Sequence, residues 1–568
     1  MRFKISSIHR QKTALRKCPY GKPRRPAMWR QLALGATLFG LAACSPFGSN
    51  SSNESTRGTV GFVKGFIGGV AVDEPRAALV GRDVLSAGGT ATDAAVAVYF
   101  ALSVTLPSSA SLGGGGVCLV RDHRSNTVET LDFRARAAVA AVPSGRVAVA
   151  VPGNPLGFYA LHTKYGKLKW GELIRPAENL ARFGNQISRA LGQDIALNGQ
   201  ELLTHPDSQQ MFGREDGNGL LREGDYLKQT ELSGMLARIR SSGGAKLYSG
   251  PFARDFVTAV EAVGGDLSYD DLRAFHPQWR PTISVPWVKG TAFHFPSPPG
   301  TAGATEAQMA AMLRVDDVYE KSDAVVRAHL LSEVIERSLA DRKNWDGETQ
   351  PSLAINQLAS PERARELMHD FNNARRVVTG GAAAADLDPA SQTSGSSFAV
   401  MDRDGSAVAC SLSMNKPFGT GLVARGTGVV LAASPASTGG GPSFASTILV
   451  SKIRNAIYLV SAASGGAVAP SSLVNVVVNA ATDKDSTLES AMNLKRVHNG
   501  GRNGITYLES GTQDTVVKGL NQRGHRLAFV NSMGVVNAIM CVNGIPHENI
   551  DCSALADPRG FGLALSTQ

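Results

Sequence analysis

Apolar positions recur along this chain with two spacings, one helical and one of strands. From Glu74 to Ala87 they follow a helical period and stop at Gly88-Gly89. Thr92 and Asp93 then open an Ala/Val-rich stretch that Pro107 ends, so two helices meeting at a glycine corner are expected. Gly113 to Gly116 lead into the apolar run Val117 to Val120, and a second run, Thr127 to Phe133, ends at Arg134. Both read as strands, with close backbone approach at the glycines. No Lys-Ser/Thr follows the glycine run and no helix comes next, which sets a phosphate loop aside. Val151-Pro152-Gly153 opens a mostly helical region over 155–345, interrupted by strand-like residues from Thr282 to Phe295 and a turn at Ser297-Pro298-Pro299-Gly300. Thr379 to Ser397 has almost no large apolar residue and reads as an exposed connection. Beyond it Phe398–Met401, Ala407–Met414, Gly428–Ala432, Ile448–Val450 and Ala456–Ser461 read as strands, and Pro470–Ala480 as a helix. The pattern predicts an α/β (α+β) protein of layered sheets covered by helices, not a repeat array.

Charge changes this picture only at the N-terminus. The chain of 568 residues has 58 basic and 48 acidic side chains. Ten of the basic ones, and no acidic one, precede residue 45, so the rest is neutral. No later stretch clusters Lys/Arg with aromatics, which argues against a nucleic-acid partner. Gln31 to Ala43 is apolar over the length of an export signal and shorter than the roughly 20 residues of a membrane span. It ends Leu41-Ala42-Ala43-Cys44, which resembles the lipobox of bacterial lipoproteins. The expectation is a signal over residues 1–43, with Met28 a candidate start, lipidation of Cys44 and a Ser/Asn-rich tether over 44–57. A lipid-anchored periplasmic protein follows. Among the six cysteines, Cys118 and Cys410 lie in apolar runs and read as buried thiols, while Cys541 and Cys552 flank a turn-rich segment and are candidates to pair. No CxxC or HExxH occurs, so no metal site is expected.

The junction near residue 396 attracts chemistry because Gly395-Ser396-Ser397 delivers hydroxyls to a strand entry, before a hairpin turn at Asp402-Arg403-Asp404-Gly405. On composition alone it is a Ser/Thr-rich loop. Motifs in order along the chain change that weighting: Gly88-Gly89-Thr90-Ala91-Thr92-Asp93, the glycine run, Leu131-Asp132-Phe133-Arg134, Val151-Pro152-Gly153, Asp404-Gly405-Ser406-Ala407-Val408-Ala409, Asn415 with Phe418-Gly419-Thr420-Gly421, Ser464-Gly465-Gly466 and Asp557-Pro558-Arg559. From about Val72 onward the chain resembles the gamma-glutamyltranspeptidase family. The resemblance implies a four-layer αββα sandwich of the N-terminal-nucleophile hydrolase type, made as a precursor that cuts itself into a large fragment (58–395) and a small one (396–568) that stay associated. The freed terminal residue then performs acyl transfer. A lone hydroxyl is a poor nucleophile, but a terminal one has its own α-amino group, with a pKa near 8, as general base.

Where the family has Thr-Thr-His, this chain departs from the pattern. Counting back from Asp402 without a gap puts Gly395 at the nucleophile position; a one-residue deletion puts Ser396 there, with Ser397 its hydroxyl neighbour and Thr393 the alternative nucleophile. By the same resemblance Ser413 stands where a Thr bonds the nucleophile, Gly465 and Gly466 supply oxyanion N–H groups, Arg134 holds the substrate carboxylate, and Asn415, Ser437 and Ser443 bind substrate. The neighbouring serine position holds Pro442. Ser437 replaces the acidic residue that pairs with the glutamyl ammonium, which weakens selection for an α-amino acid by about 1–3 kcal/mol. The resemblance implies a gamma-glutamyltransferase or hydrolase acting on a small glutathione-like amide and an amine acceptor, with no metal or organic cofactor. Two rivals stay open: an amidase/acylase on glutaryl-type or other dicarboxylate half-amides, acylated β-lactams included, and an uncleaved, inactive periplasmic binding or scaffold protein.

Overall fold

The computed structural model describes residues 66–567, apart from 140–142, 215, 299–301, 346–352, 379–394, 438–443, 483–485, 502–503 and 548–549. The leader, Cys44, the tether, Pro442, Ser443 and Thr393 lie outside the described residues.

Twelve strands form one continuous antiparallel sheet: β1 (Gly68–Val72), β2 (Gly115–Asp122), β3 (Thr127–Phe133), β4 (Gln278–Pro286), β5 (Ala292–Pro296), β6 (Ser396–Asp402), β7 (Ala407–Ser413), β8 (Ala445–Ser451), β9 (Ala456–Ser464), β10 (Val535–Ile545), β11 (Cys552–Ala556) and β12 (Leu563–Thr567). Their lateral order is β11-β10-β9-β8-β5-β4-β3-β2-β7-β6-β1-β12. The sheet folds over, so that β6 and β7 lie against β9. Ser411 Oγ on β7 accordingly donates to the carbonyls of Ala445 and Ala463 on the facing half, at 2.7 and 3.1 Å. The side chains between the halves are mainly small or medium, among them Ala71, Ala399, Ala409, Val460 and Ala462, which lets the two layers close tightly.

Helices cover both outer faces. Over one half pack α1 (Pro75–Ser86), α2 (Ala91–Thr105) and α3 (Asn154–Tyr165), which bury Phe398, Val400 and Leu412. Over the other pack α4 (Gly303–Leu313), α5 (Ala324–Asp341) and α6 (Ala469–Thr482), on Phe293, Leu449 and Leu459. Helix, sheet, sheet and helix make the four-layer arrangement expected from the sequence.

Several family motifs prove to be scaffold. Thr90 and Asp93 form a reciprocal capping box that starts α2, and Asp93 Oδ1 also accepts from Lys167 N–H at 2.9 Å. Asp557 accepts from Val536 N–H at 2.9 Å and pairs with the buried Arg496.

Three expectations change. Ser396 and Ser397 belong to β6 and are buried rather than part of an exposed connection. Within the run Gly428–Ala432 only Val429–Val430 is a strand, paired with Val423–Ala424. Cys118 and Cys410 are not free thiols but a disulfide, because the register of β2 on β7 sets them opposite one another. Cys541 and Cys552 are bonded likewise across β10 and β11. The first bridge joins the two predicted fragments.

Candidate active site

The predicted residues gather at one end of the sheet because of its register. Gly116 pairs with Phe133, Gly115 with Ser413, and Ser396 with Leu412. One step further along each ladder, Arg134, Gly115, Ser413 and Gly395 fall in a lateral row across β3, β2, β7 and β6. Adjacent strands are about 4.8 Å apart, so the row spans roughly 14 Å. Glycine is required in it: a Cβ on Gly115 would lie 2.0 Å from Ala135 N, and one on Gly114 would lie 2.7 Å from the Ser413 carbonyl oxygen. The glycine run is therefore a hinge of close contact that brings the Arg134 and Ser413 segments together.

Arg134 is half-buried and forms a bidentate pair with Asp132, Nε to Oδ1 and Nη2 to Oδ2, both 2.9 Å. Burial alone raises the Asp132 pKa, but the bonds and charge of Arg134 and the charge of Arg280 outweigh it and hold the carboxyl below its usual range. Ser413 Oγ accepts from Asn415 N–H at 2.9 Å, and Asn415, at φ 65°, donates through Nδ2 to the Ala433 carbonyl at 2.6 Å. The segment carrying Ser437 is thereby tied to the end of β7. Ser437 itself is exposed and donates its hydroxyl to the Ser434 carbonyl at 2.7 Å. From the facing half, β9 ends at Ser464 and the chain turns through Gly465 and Gly466, at φ 121° and 61°, values that suit glycine.

The two junction serines part company. Their side chains alternate across the pleat. Ser396 shares the helix-facing side with Phe398 and Val400; its Oγ is fully buried and has no hydrogen-bond partner among the described residues. Ser413 belongs to the opposite side, so the register does not bring Ser396 Oγ to Ser413 in the unbroken chain. Ser397 faces the inter-sheet side, where its Oγ accepts from Asn537 Nδ2 at 3.0 Å and its N–H donates to Asp73 Oδ2 at 2.7 Å. Gly395, at φ 99°, immediately precedes them. Asp73, Asn537 and Ser464 were not singled out from the sequence as site groups. Ser464 stands at the head of the Ser464-Gly465-Gly466 motif, but no linear signal joins the three to Ser397, since they lie 324, 140 and 67 positions from it and meet only through the sheet.

Two other features lie away from this end. A cavity of about 410 Å³ is lined by Arg121, Lys164, Asp402 and Ser406 at the far end of β6. The buried trio His329, Glu333 and His525 has the spacing of a metal site, but its groups are committed: His525 Nε2 to His329 Nδ1 at 2.7 Å, His329 Nε2 to the Asn372 carbonyl at 2.9 Å, His525 Nδ1 to Thr506 Oγ1 at 2.9 Å, and Glu333 to Arg337 at 3.0 Å. These bonds describe a satisfied polar core.

Comparison with known proteins agrees with this geometry. The glutathione hydrolase proenzyme of Escherichia coli is 28% identical over 565 residues, covering 91% of this chain and 96% of that protein. The proenzyme of the same description from Bacillus subtilis is 29% identical over 551 residues, covering 88% and 91%. Among solved structures, the cephalosporin acylase from Bacillus halodurans superposes with a TM-score of 0.74 at 22% identity, covering 92% of this chain and 100% of that one, which shows a shared fold. The sequence pattern described as gamma-glutamyltranspeptidase matches residues 77–437 and 442–567, nearly the whole described chain, and the protein belongs to the gamma-glutamyltranspeptidase family.

Proposed function

We propose that this protein is a self-processing gamma-glutamyltransferase/hydrolase that cleaves the gamma-glutamyl amide of glutathione-like compounds and passes the acyl group to water or to an amino-acid or peptide amine. The lateral row carries the reading: a guanidinium suited to a carboxylate, a hydroxyl with an adjacent amide side chain, and the self-cleavage junction stand side by side, opposite a two-glycine turn.

The chain is cut between Gly395 and Ser396. The Ser396 hydroxyl adds to the Gly395 carbonyl, the peptide bond breaks in an N-to-O shift, and water releases the ester, leaving a free α-amine. That cut also releases Ser396 from the strand register that points it at the helices. The amine then takes the proton of the Ser396 hydroxyl as it attacks the substrate amide. The N–H groups of Gly465 and Gly466 stabilise the oxyanion, the amine leaves with a proton, and the acyl-serine ester is resolved by water or an acceptor amine. Arg134 receives the substrate carboxylate, helped by Asn415. Ser443 and Thr393, as binding residue and alternative nucleophile, complete the proposal.

A second reading is favoured by one observation: Ser437 offers no charge to an ammonium group and spends its hydroxyl on Ser434. Glutaryl-type half-amides then become competitive substrates. We also propose that Cys44 is lipidated and the protein anchored in the periplasm; the two disulfides support an oxidising compartment. No helix among the described residues is long and apolar enough to cross a membrane.

Electrophoresis of purified protein tests the central claim. Because Cys118–Cys410 joins the fragments, one band is expected without reductant and two with it, the smaller beginning at Ser396 by mass. An electrophilic glutamine analogue should label that residue. A single band in reductant, or label on another side chain, rules the mechanism out.

A further inference from the structure

A buried carboxylate beside the junction takes no part in the reaction as written. Asp73 directly follows β1, and the pairing of Val72 with Phe398 sets it next to Ser397. Its Oδ2 accepts from Ser397 N–H at 2.7 Å and from the Ser464 hydroxyl at 3.0 Å, and its Oδ1 accepts from Asn537 Nδ2 at 2.6 Å. Asn537 Nδ2 also reaches the carbonyl and the hydroxyl of Ser397, both at 3.0 Å. Ser397 follows the proposed nucleophile, and Ser464 precedes the first oxyanion glycine. These two neighbours come from facing halves of the sheet, and Asp73 ties them together through hydrogen bonds to an ionised acceptor, which are short and strong.

We propose that Asp73 is a positioning residue for acyl transfer, fixing the distance between the Ser396 hydroxyl and the Gly465-Gly466 turn. The inference rests on the roles assigned above to Ser396 and to the two glycines. Attacking oxygen and oxyanion donors must meet one carbonyl, so slack between them is felt in the transition state and not in the bound substrate. Arg134 and Asn415, which hold the substrate, make no hydrogen bond to Asp73, so the loss belongs in kcat.

Burial pushes the Asp73 carboxyl up to about 6, against the pull of its hydrogen bonds from Ser397, Asn537 and Ser464. The Asp557 carboxylate raises it further through space, and Asp73 in turn raises Asp194; the contacts of Asp73 on β6, β9 and β10 are uncharged. Only the ionised form accepts from all its donors, so protonation loosens the tie and an acid limb near pH 6 is expected in kcat.

The test uses full-length Asp73→Asn, with Ser464→Ala as a second variant, assayed on a gamma-glutamyl anilide after self-cleavage. Asp73→Asn should lose kcat on the order of 100-fold, with KM changed less than about threefold and the inflection near pH 6 lost, while the limb set by the terminal amine stays. Ser464→Ala removes one arm and should lose about tenfold in kcat. A folded, cleaved Asp73→Asn with wild-type kcat, or with its loss confined to KM, overturns the proposal. Should circular dichroism show Asp73→Asn unfolded, Ser464→Ala decides alone, and unchanged kcat overturns it. If Ser396→Ala is inert while Asp73→Asn is normal, only the role of Asp73 falls; a Ser396→Ala protein that still cleaves and turns over removes the reading beneath it.

Discussion

The two faces of β6 treat the same side chain in opposite ways. Ser397, toward the facing sheet, is held by Asp73 and Asn537. Ser396, one residue earlier and toward the helices, is just as buried and has no hydrogen-bond partner among the described residues. A buried hydroxyl without a partner costs about 1–3 kcal/mol, while one that is bonded roughly breaks even or gains. Stability therefore accounts for Ser397 and not for Ser396. An unsatisfied hydroxyl next to a glycine at φ 99° fits the nucleophile role proposed for Ser396, and the bonded Ser397 fits a supporting one.

The contrast is broken most severely by Ser396→Ala. Self-cleavage and turnover should fall by at least about 1,000-fold, yet the melting temperature should match or exceed that of wild type, because the substitution removes an uncompensated polar atom. Reducing electrophoresis together with thermal melting checks both halves; a clear loss of stability would show that Ser396 has a partner after all. Ser397→Ala should do the reverse, lowering stability by about 1 kcal/mol through the acceptor lost to Asn537, measured by denaturant unfolding. Its turnover should survive in part, since Asp73 still holds the backbone N–H.

The smallest effect compares carboxylates. Asp73 takes donors from Ser397, Asn537 and Ser464 and rises only to about 6; Asp194, bonded to the Ser108 hydroxyl at 2.6 Å, is pushed by burial to about 7. A carboxyl whose pKa rises on folding favours the fold while protonated, and that contribution fades as pH climbs through the folded value. Asp194→Asn keeps an acceptor for Ser108 but has no charge to bury. Its melting temperature relative to wild type should therefore increase between pH 5 and pH 8, and a pH-independent difference would contradict the assignment.

Much of this was legible along the chain. The helices α1 and α2 announce themselves by period and by the Gly88-Gly89 corner, and α2 carries its capping box in plain sight at Thr90 and Asp93. Arg134, Asn415 and Gly465-Gly466 sit in recognisable motifs, and the fold places them at one end of the sheet. The Cys118–Cys410 bridge escaped because two apolar strands 292 residues apart carry no sign of their register. Asp73 escaped for a related reason: a charged residue ending a strand and followed by Glu74, which caps α1, looks like part of the helix start.

The amino-acid sequence by itself determined most of the helices and strands and, through the family resemblance its motifs carry, the four-layer arrangement and the kind of chemistry, because period, glycine placement and short motifs are local properties. Which face each serine of β6 presents, which cysteines meet, and which carboxylate stands beside the junction were decided by the tertiary structure alone. The physical reason is strand register: side chains alternate at every residue, so a shift of one position exchanges the two faces, and register here is set by contacts hundreds of residues apart.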